Sequence, residues 1–223
     1  MKTEIKDIKK SFGKKKVLEG VSLTAESGKC IGILGGNGSG KSTLFSILAG
    51  VLSPDGGSFT VDGHDMLRDP DGSVLGYVPQ TPPLLEELSA RDNLLLWYTR
   101  KEMEKSLLDG VLKMLGIDAF LKTTVRKMSG GMKKRLAIGC AMARDPKVIL
   151  LDEPSAALDL VAKAEIARYL SDFKKNGGTV LLATHDANEL EICDELYILS
   201  DGKLVQYSYG GNIEELAKRL SGE

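Results

Sequence analysis

Eight consecutive residues, Gly35-Gly36-Asn37-Gly38-Ser39-Gly40-Lys41-Ser42, set glycines, a hydroxyl and one lysine where they can surround a polyphosphate. Glycines let successive backbone N–H groups point inward where side chains would crowd the anion, and a helix opening at Lys41 adds the positive end of its dipole. Lys41 then suits the β and γ phosphates of a nucleotide, and Ser42 suits Mg²⁺. Far along the chain, Asp152-Glu153 follows the apolar run Val148-Ile149-Leu150-Leu151. The pair emerges at the C-terminal edge of a buried strand, where open α/β sheets bind their ligands. Asp152 suits an indirect hold on Mg²⁺, and Glu153 is placed to orient and deprotonate an attacking water. A third stretch, Ser129-Gly130-Gly131, offers a hydroxyl and two glycine N–H groups. At a helix N-terminus these donors can close on an anionic phosphate.

The elements that must carry these residues are legible in the apolar pattern. Ile5, Ile8 and Phe12, then Val17-Leu18 and Val21 to Thr24, read as short antiparallel strands around the basic turn Gly13 to Lys16. Lys29 to Leu34 reads as a compact strand, and Lys41 to Ala49 as a helix closed by Gly50. Ser58 to Val61 and Ser73 to Val78 are further strands. From Thr81 the pattern turns helical. Ser89 and Asp92 form a capping box that opens a helix through Tyr98. Met103, Leu107, Leu108, Val111, Leu112 and Leu115 predict a second helix, stopped by Gly116. After Pro146 strands return at Lys147 to Leu151, Thr179 to Ala183 and Glu195 to Ser200. A helical pattern from Asp159 to Lys175 links the first two as a parallel crossover. Asp201-Gly202 turns into Lys203 to Gln206, and Asn212 with Glu215 caps a last helix reaching Leu220. The sum is one α/β domain with a helical lobe inserted in roughly its middle third.

Bulk composition narrows the partners. The 223 residues carry 30 basic and 31 acidic side chains, a formal charge of -1, so no global field draws the chain to nucleic acid or anionic lipid. Apolar runs such as Leu94 to Trp97 fall far short of the roughly 20 residues that cross a bilayer. Met1 to Lys6 alternates charge and apolarity, so no export signal is expected and residence in the cytosol is the default. Cys30, Cys140 and Cys193 are odd in number and scattered in apolar surroundings, which argues for reduced core thiols.

Taken together, these motifs resemble the nucleotide-binding subunit of the ATP-binding cassette (ABC) family over nearly the whole chain. Tyr77-Val78-Pro79-Gln80 resembles its Q-loop, Ser129-Gly130-Gly131 its signature and Leu150 to Pro154 its acidic strand end. Ser155-Ala156-Ala157-Leu158-Asp159 resembles the D-loop, and Ala183-Thr184-His185-Asp186 the switch histidine. The resemblance implies a P-loop NTPase core with a mainly parallel sheet, an N-terminal antiparallel β subdomain and an inserted helical subdomain. It makes 1–223 a single domain, with a core lobe at 1–80 and 147–223 and a helical lobe at about 81–146. ATP and Mg²⁺ are the implied ligands. Gly35, Asn37, Gly38, Ser39, Gly40, Lys41, Ser42 and Thr43 would contact the nucleotide, with Phe12 stacked on adenine where the family often has Tyr. Ser42, Gln80 and Asp152 would serve the metal; Glu153, Gln80 and His185 would be catalytic, His185 at the γ phosphate. Ser129, Gly130, Gly131 and Asp159 would serve a nucleotide held by a second subunit, two chains sandwiching two ATP molecules. Met132 departs from the family's usual Gln, keeping an apolar side chain of similar length while losing its hydrogen bonds.

The implied function is ATP hydrolysis that energises a separate membrane permease, which receives the helical lobe and Gln80 on the inner face of the cell membrane. The second subunit is equally a copy of this chain or a related one. The compact chain resembles the simpler subunits, often from exporters. A soluble relative in DNA maintenance or translation is the rival. Chromosome-associated relatives carry a long coiled coil between phosphate loop and signature, whereas residues 81–128, 48 in all, separate Gln80 from Ser129 here. Translation-type relatives carry two cassettes per chain. A module that dimerises on ATP without turnover is a third reading; Glu153 and His185 count against it, since a site without hydrolysis has no need of a water-activating carboxylate.

Overall fold

Two sheets share the chain in the computed structural model, which describes residues 1–155, 158–184 and 187–221. The first is antiparallel. Strands β1 (Lys2–Phe12), β2 (Lys15–Glu26), β4 (Gly56–Val61) and β5 (His64–Asp65) lie in the order β2-β1-β4-β5. Along β2 buried and exposed residues alternate through Val21, Leu23 and Ala25, the period of a strand with one wet face.

The second sheet has the order β10-β9-β3-β8-β7-β6, built from β3 (Cys30–Leu34), β6 (Leu75–Val78), β7 (Val148–Asp152), β8 (Thr179–Ala183), β9 (Glu195–Ser200) and β10 (Lys203–Tyr207). Its pairings are parallel except for the edge hairpin of β9 with β10. Every residue of β3, β7 and β8 is buried, as expected of parallel strands covered on both faces. Alternate residues serve opposite cores. Ile149, Leu151, Val180 and Leu182 join the cluster that holds Leu94, Leu112, Leu136 and Ile138. Val148, Leu150, Leu181 and Ala183 join the one that holds Leu44, Phe45, Ile8 and Phe59. The helical insert therefore shares its core with one face of the sheet.

Helix α1 (Lys41–Leu48) follows β3; α2 (Ala90–Leu94), α3 (Arg100–Asp109), α4 (Val111–Met114) and α5 (Gly130–Ala141) fill the middle of the chain. Helix α6 (Leu160–Lys175) crosses from β7 to β8, and α7 (Ala187–Leu190) and α8 (Ile213–Ser221) follow. Two expectations need correction. The helix opened by the Ser89–Asp92 capping box is regular only to Leu94; beyond it Leu96 and Trp97 bond three residues back, to Asn93 and Leu94, before Thr99 and Glu102 form a second capping box. The single helix from Met103 to Leu115 is two. Gly110 takes an extended conformation, a Cβ there would stand 2.8 Å from the Ser106 Cα, and the Ser106 hydroxyl accepts from Leu112 N–H as α4 begins. With the break, Leu108 falls outside the packed stripe at 81% exposure.

The three cysteines are free thiols. The fold brings Cys30 and Cys193 together, their Sγ atoms 3.8 Å apart, which sequence spacing did not suggest.

Candidate active site

Parallel strands deliver their C-terminal ends to one edge of the sheet, so β3, β8, β7 and β6 present their following residues side by side. The phosphate loop leaves β3 there. Gly40 caps α1 with φ of 105°, a left-handed conformation that a side chain would strain, and its carbonyl accepts from Leu44 N–H. Asn37 and Gly38 are exposed, while Gly35 and Lys41 are buried. The Lys41 ammonium lies back over the loop, donating to the Gly35 carbonyl at 2.6 Å and the Gly36 carbonyl at 3.2 Å. Burial pulls its pKa below the ordinary lysine value, and the carboxylates of Glu153 and Asp152 push the other way. Such an ammonium is better satisfied by an arriving polyanion than by two carbonyls.

At the end of β7, Asp152 is 2% exposed. Burial raises its pKa above the usual carboxylate range, against a hydrogen bond from the Ser42 hydroxyl that lowers it. Asp152 Oδ1 and Ser39 Oγ are both buried with no hydrogen-bond partner among the described residues. Polar atoms left so in a core carry a cost that a ligand can remove. The Ser42 hydroxyl and the Asp152 carboxylate it bonds are oxygen donors of the kind Mg²⁺ takes, so these residues fit the cation.

The next residue turns the chain out of the sheet. Glu153 adopts φ of 48°, its N–H donates to the Ala183 carbonyl, and its Oε2 accepts from Gln80 Nε2 at 2.8 Å. Two residues 73 positions apart in sequence thus meet at the strand edge from which the phosphate loop also leaves. Thr43 is half-buried in the first turn of α1, and Phe12, at the end of β1, leaves its ring 50% exposed. Exposure of that size suits a stacking platform better than a core aromatic.

Ser129 caps α5, its hydroxyl accepting from Met132 N–H at 3.3 Å. Ser129 and Gly130 are exposed; Gly131 is buried, and a Cβ there would stand 2.8 Å from Ala162 Cβ of α6. The motif therefore divides into exposed donors and a packing contact. No hydrogen bond joins it to the phosphate loop among the described residues. Met132 packs against the core through its side chain. Asp159 caps α6 by accepting from Ala162 N–H at 2.8 Å. His185, and Ala156 and Ala157 of the stretch before Asp159, lie outside the described residues.

Two residues escaped the sequence reading. Lys134, 5% exposed, donates to the carbonyls of Gln80 at 3.1 Å and Pro79 at 3.3 Å. Arg135 pairs with Glu165 of α6 at 2.6 Å, donates to the Leu115 carbonyl and lies 5.1 Å from the Phe120 ring centroid. A signal was available for the first: Gly131, Lys134 and Ile138 share one helical face, a stripe where a lysine is out of place.

A phosphate loop between β3 and α1, a carboxylate pair ending β7 and a mainly parallel sheet define a P-loop nucleoside triphosphatase core. A family model described as ABC transporter matches residues 18–156. The lantibiotic transport ATP-binding protein SrtF of Streptococcus pyogenes is 33% identical over 217 residues, spanning 96% of this chain and 94% of its own length. Among solved structures, the ATP-binding subunit of an ABC transporter superposes with a TM-score of 0.86 at 27% identity, covering 99% of this chain and all of that one. A dimeric ATP-binding cassette in a post-hydrolysis state with ADP and Pi gives 0.82 at 28% identity, covering 92% and 98%. The chain belongs to the ABC transporter family, as an ATP-binding subunit whose reaction is ATP hydrolysis coupled to transport.

Proposed function

We propose that this subunit hydrolyses Mg-ATP at the edge of its parallel sheet, with Glu153 as general base, inside a sandwich of two subunits docked on a separate permease. The observation that carries the reading is the Gln80–Glu153 hydrogen bond at the strand end beside the phosphate loop. Lys41 binds the β and γ phosphates, the loop N–H groups from Gly35 to Thr43 wrap them, and Phe12 stacks on the base. Ser42, Asp152 and Gln80 would hold Mg²⁺, which when bound would supply positive charge to the transferring phosphoryl group. Glu153, oriented by Gln80, takes the proton of the attacking water. His185 completes the site at the γ phosphate. The exposed Ser129 and Gly130 are turned to the nucleotide of the facing subunit, and Asp159 lies in the stretch that meets it.

The permease side is supported by a cleft of ≈ 610 Å³ between β6, the Q-loop and the helical insert. Val51, Tyr77, Pro82, Pro83 and Trp97 line it with Arg144 at its rim, and Val51 and Trp97 are largely exposed. No helix among the described residues is long and apolar enough to cross a membrane. A cytoplasmic helix of the permease seated in this cleft would place the subunit on the inner membrane face and feel every change at Gln80. Glu153→Gln tests the site: with Mg-ATP the variant is expected to sediment at twice the mass of one subunit. A single-subunit mass with ATP bound, alone and with the related subunit of its transporter, would refute the trapped sandwich.

A further inference from the structure

Lys134 has the geometry of a relay. It lies on the buried face of α5 with 5% of its surface exposed, so its ammonium must find acceptors in the protein. It takes main-chain carbonyls of Pro79 and Gln80, 55 and 54 residues earlier in the chain. Burial lowers its pKa, and the fields of Asp152, Glu189 and Glu153 offset only part of that shift. Its neighbour Lys133, by contrast, reaches out to Glu86 at the surface. From Gln80 the connection continues: the same residue whose carbonyl is held by Lys134 donates its side-chain amide to Glu153 at 2.8 Å.

We propose that Lys134 is a positioning residue that ties the helix headed by Ser129 to the general base of the same chain through the backbone of Gln80. This rests on the reading of Glu153 and Gln80 given above. Lys134 follows the cap Ser129 by five residues of continuous helix, about 7.5 Å along the axis. A displacement of that N-terminus carries the ammonium with it, and the Gln80 backbone must follow or lose its donor. In the two-subunit sandwich proposed above, where the exposed Ser129 and Gly130 would meet the partner's nucleotide, a shift of the head of α5 would be answered at the same chain's Glu153. A lysine suits this task because its point charge holds two carbonyls at once.

The test compares Lys134→Met, which keeps length and removes the donors, with Lys134→Arg, which restores them, in the full chain. Steady-state kcat and KM for Mg-ATP, ATP affinity and thermal midpoint are measured for each. Lys134→Met should lose about tenfold in kcat with KM within about twofold of native, each rate being measured well below the variant's own midpoint; that midpoint falls modestly because the Pro79 and Gln80 carbonyls lose a charged donor. Lys134→Arg should recover most of the rate. A native kcat in Lys134→Met, or a loss equal in both variants, overturns the relay. Glu153→Gln run beside them separates the two readings. Turnover retained there removes the base assignment itself, whereas an inactive Glu153→Gln beside a native-rate Lys134→Met sinks the relay alone.

Discussion

At the scale of single residues, the site gives up stability for function. Asp152 is buried and its pKa is raised by that burial, so the folded chain holds its proton more firmly than the unfolded one does. The sign follows: its contribution to stability is present below the ordinary carboxylate pKa and is lost as pH rises through the higher folded value. Asp152→Asn is therefore expected to raise the thermal midpoint at neutral pH while removing turnover; a lowered midpoint would show that the carboxylate stabilises the fold. Phe12 gives the opposite case. Its ring is half exposed, so Phe12→Ala should leave the midpoint near native and raise KM for ATP about tenfold, with Phe12→Tyr close to native. An unchanged KM would place the adenine elsewhere. Met132 serves through backbone and packing alone, its N–H closing the cap of α5 and its side chain lying on the core.

At the scale of elements, α5 joins more parts than any other helix of the insert. Its head presents Ser129 and Gly130, Gly131 lets it approach α6, Lys134 reaches the Q-loop, and Arg135 holds Glu165 and the turn after α4. Arg135→Met should cost about 1–3 kcal/mol by denaturant unfolding, since Glu165 and the Leu115 carbonyl lose a charged donor. An unchanged midpoint would show that the pair adds nothing. Local signals made part of this legible: the spacing of Ser89 and Asp92 announces a cap and Ser129 suits a helix N-terminus, whereas the caps at Thr99 and Asp159 emerge only with the fold. The break at Gly110 was missed because its cause is the Ser106 hydroxyl, which supplies a cap that periodicity does not reveal. Lys134 was missed for a different reason. Its partners lie more than fifty residues away, and only the fold brings them within reach.

At the scale of the whole molecule, strand order does the assembling. β3, β8, β7 and β6 are neighbours in the sheet although they come from different parts of the chain, and their common direction puts the phosphate loop, Asp152-Glu153 and Gln80 at one edge. The insert packs its core onto one face of that sheet, so a rotation of the helices cannot be independent of the edge. The motifs were legible because each is a short run with its own chemistry; the pairing of Gln80 with Glu153 was not, because sequence order does not state strand order. The measurement that bears most directly on the account is phosphate release at saturating Mg-ATP by the native subunit and by Glu153→Gln, alone and with the membrane partner. Turnover by the native chain is expected, with a loss of at least about a hundredfold in the variant and ATP binding retained. Equal turnover by the two would contradict Glu153 as the general base.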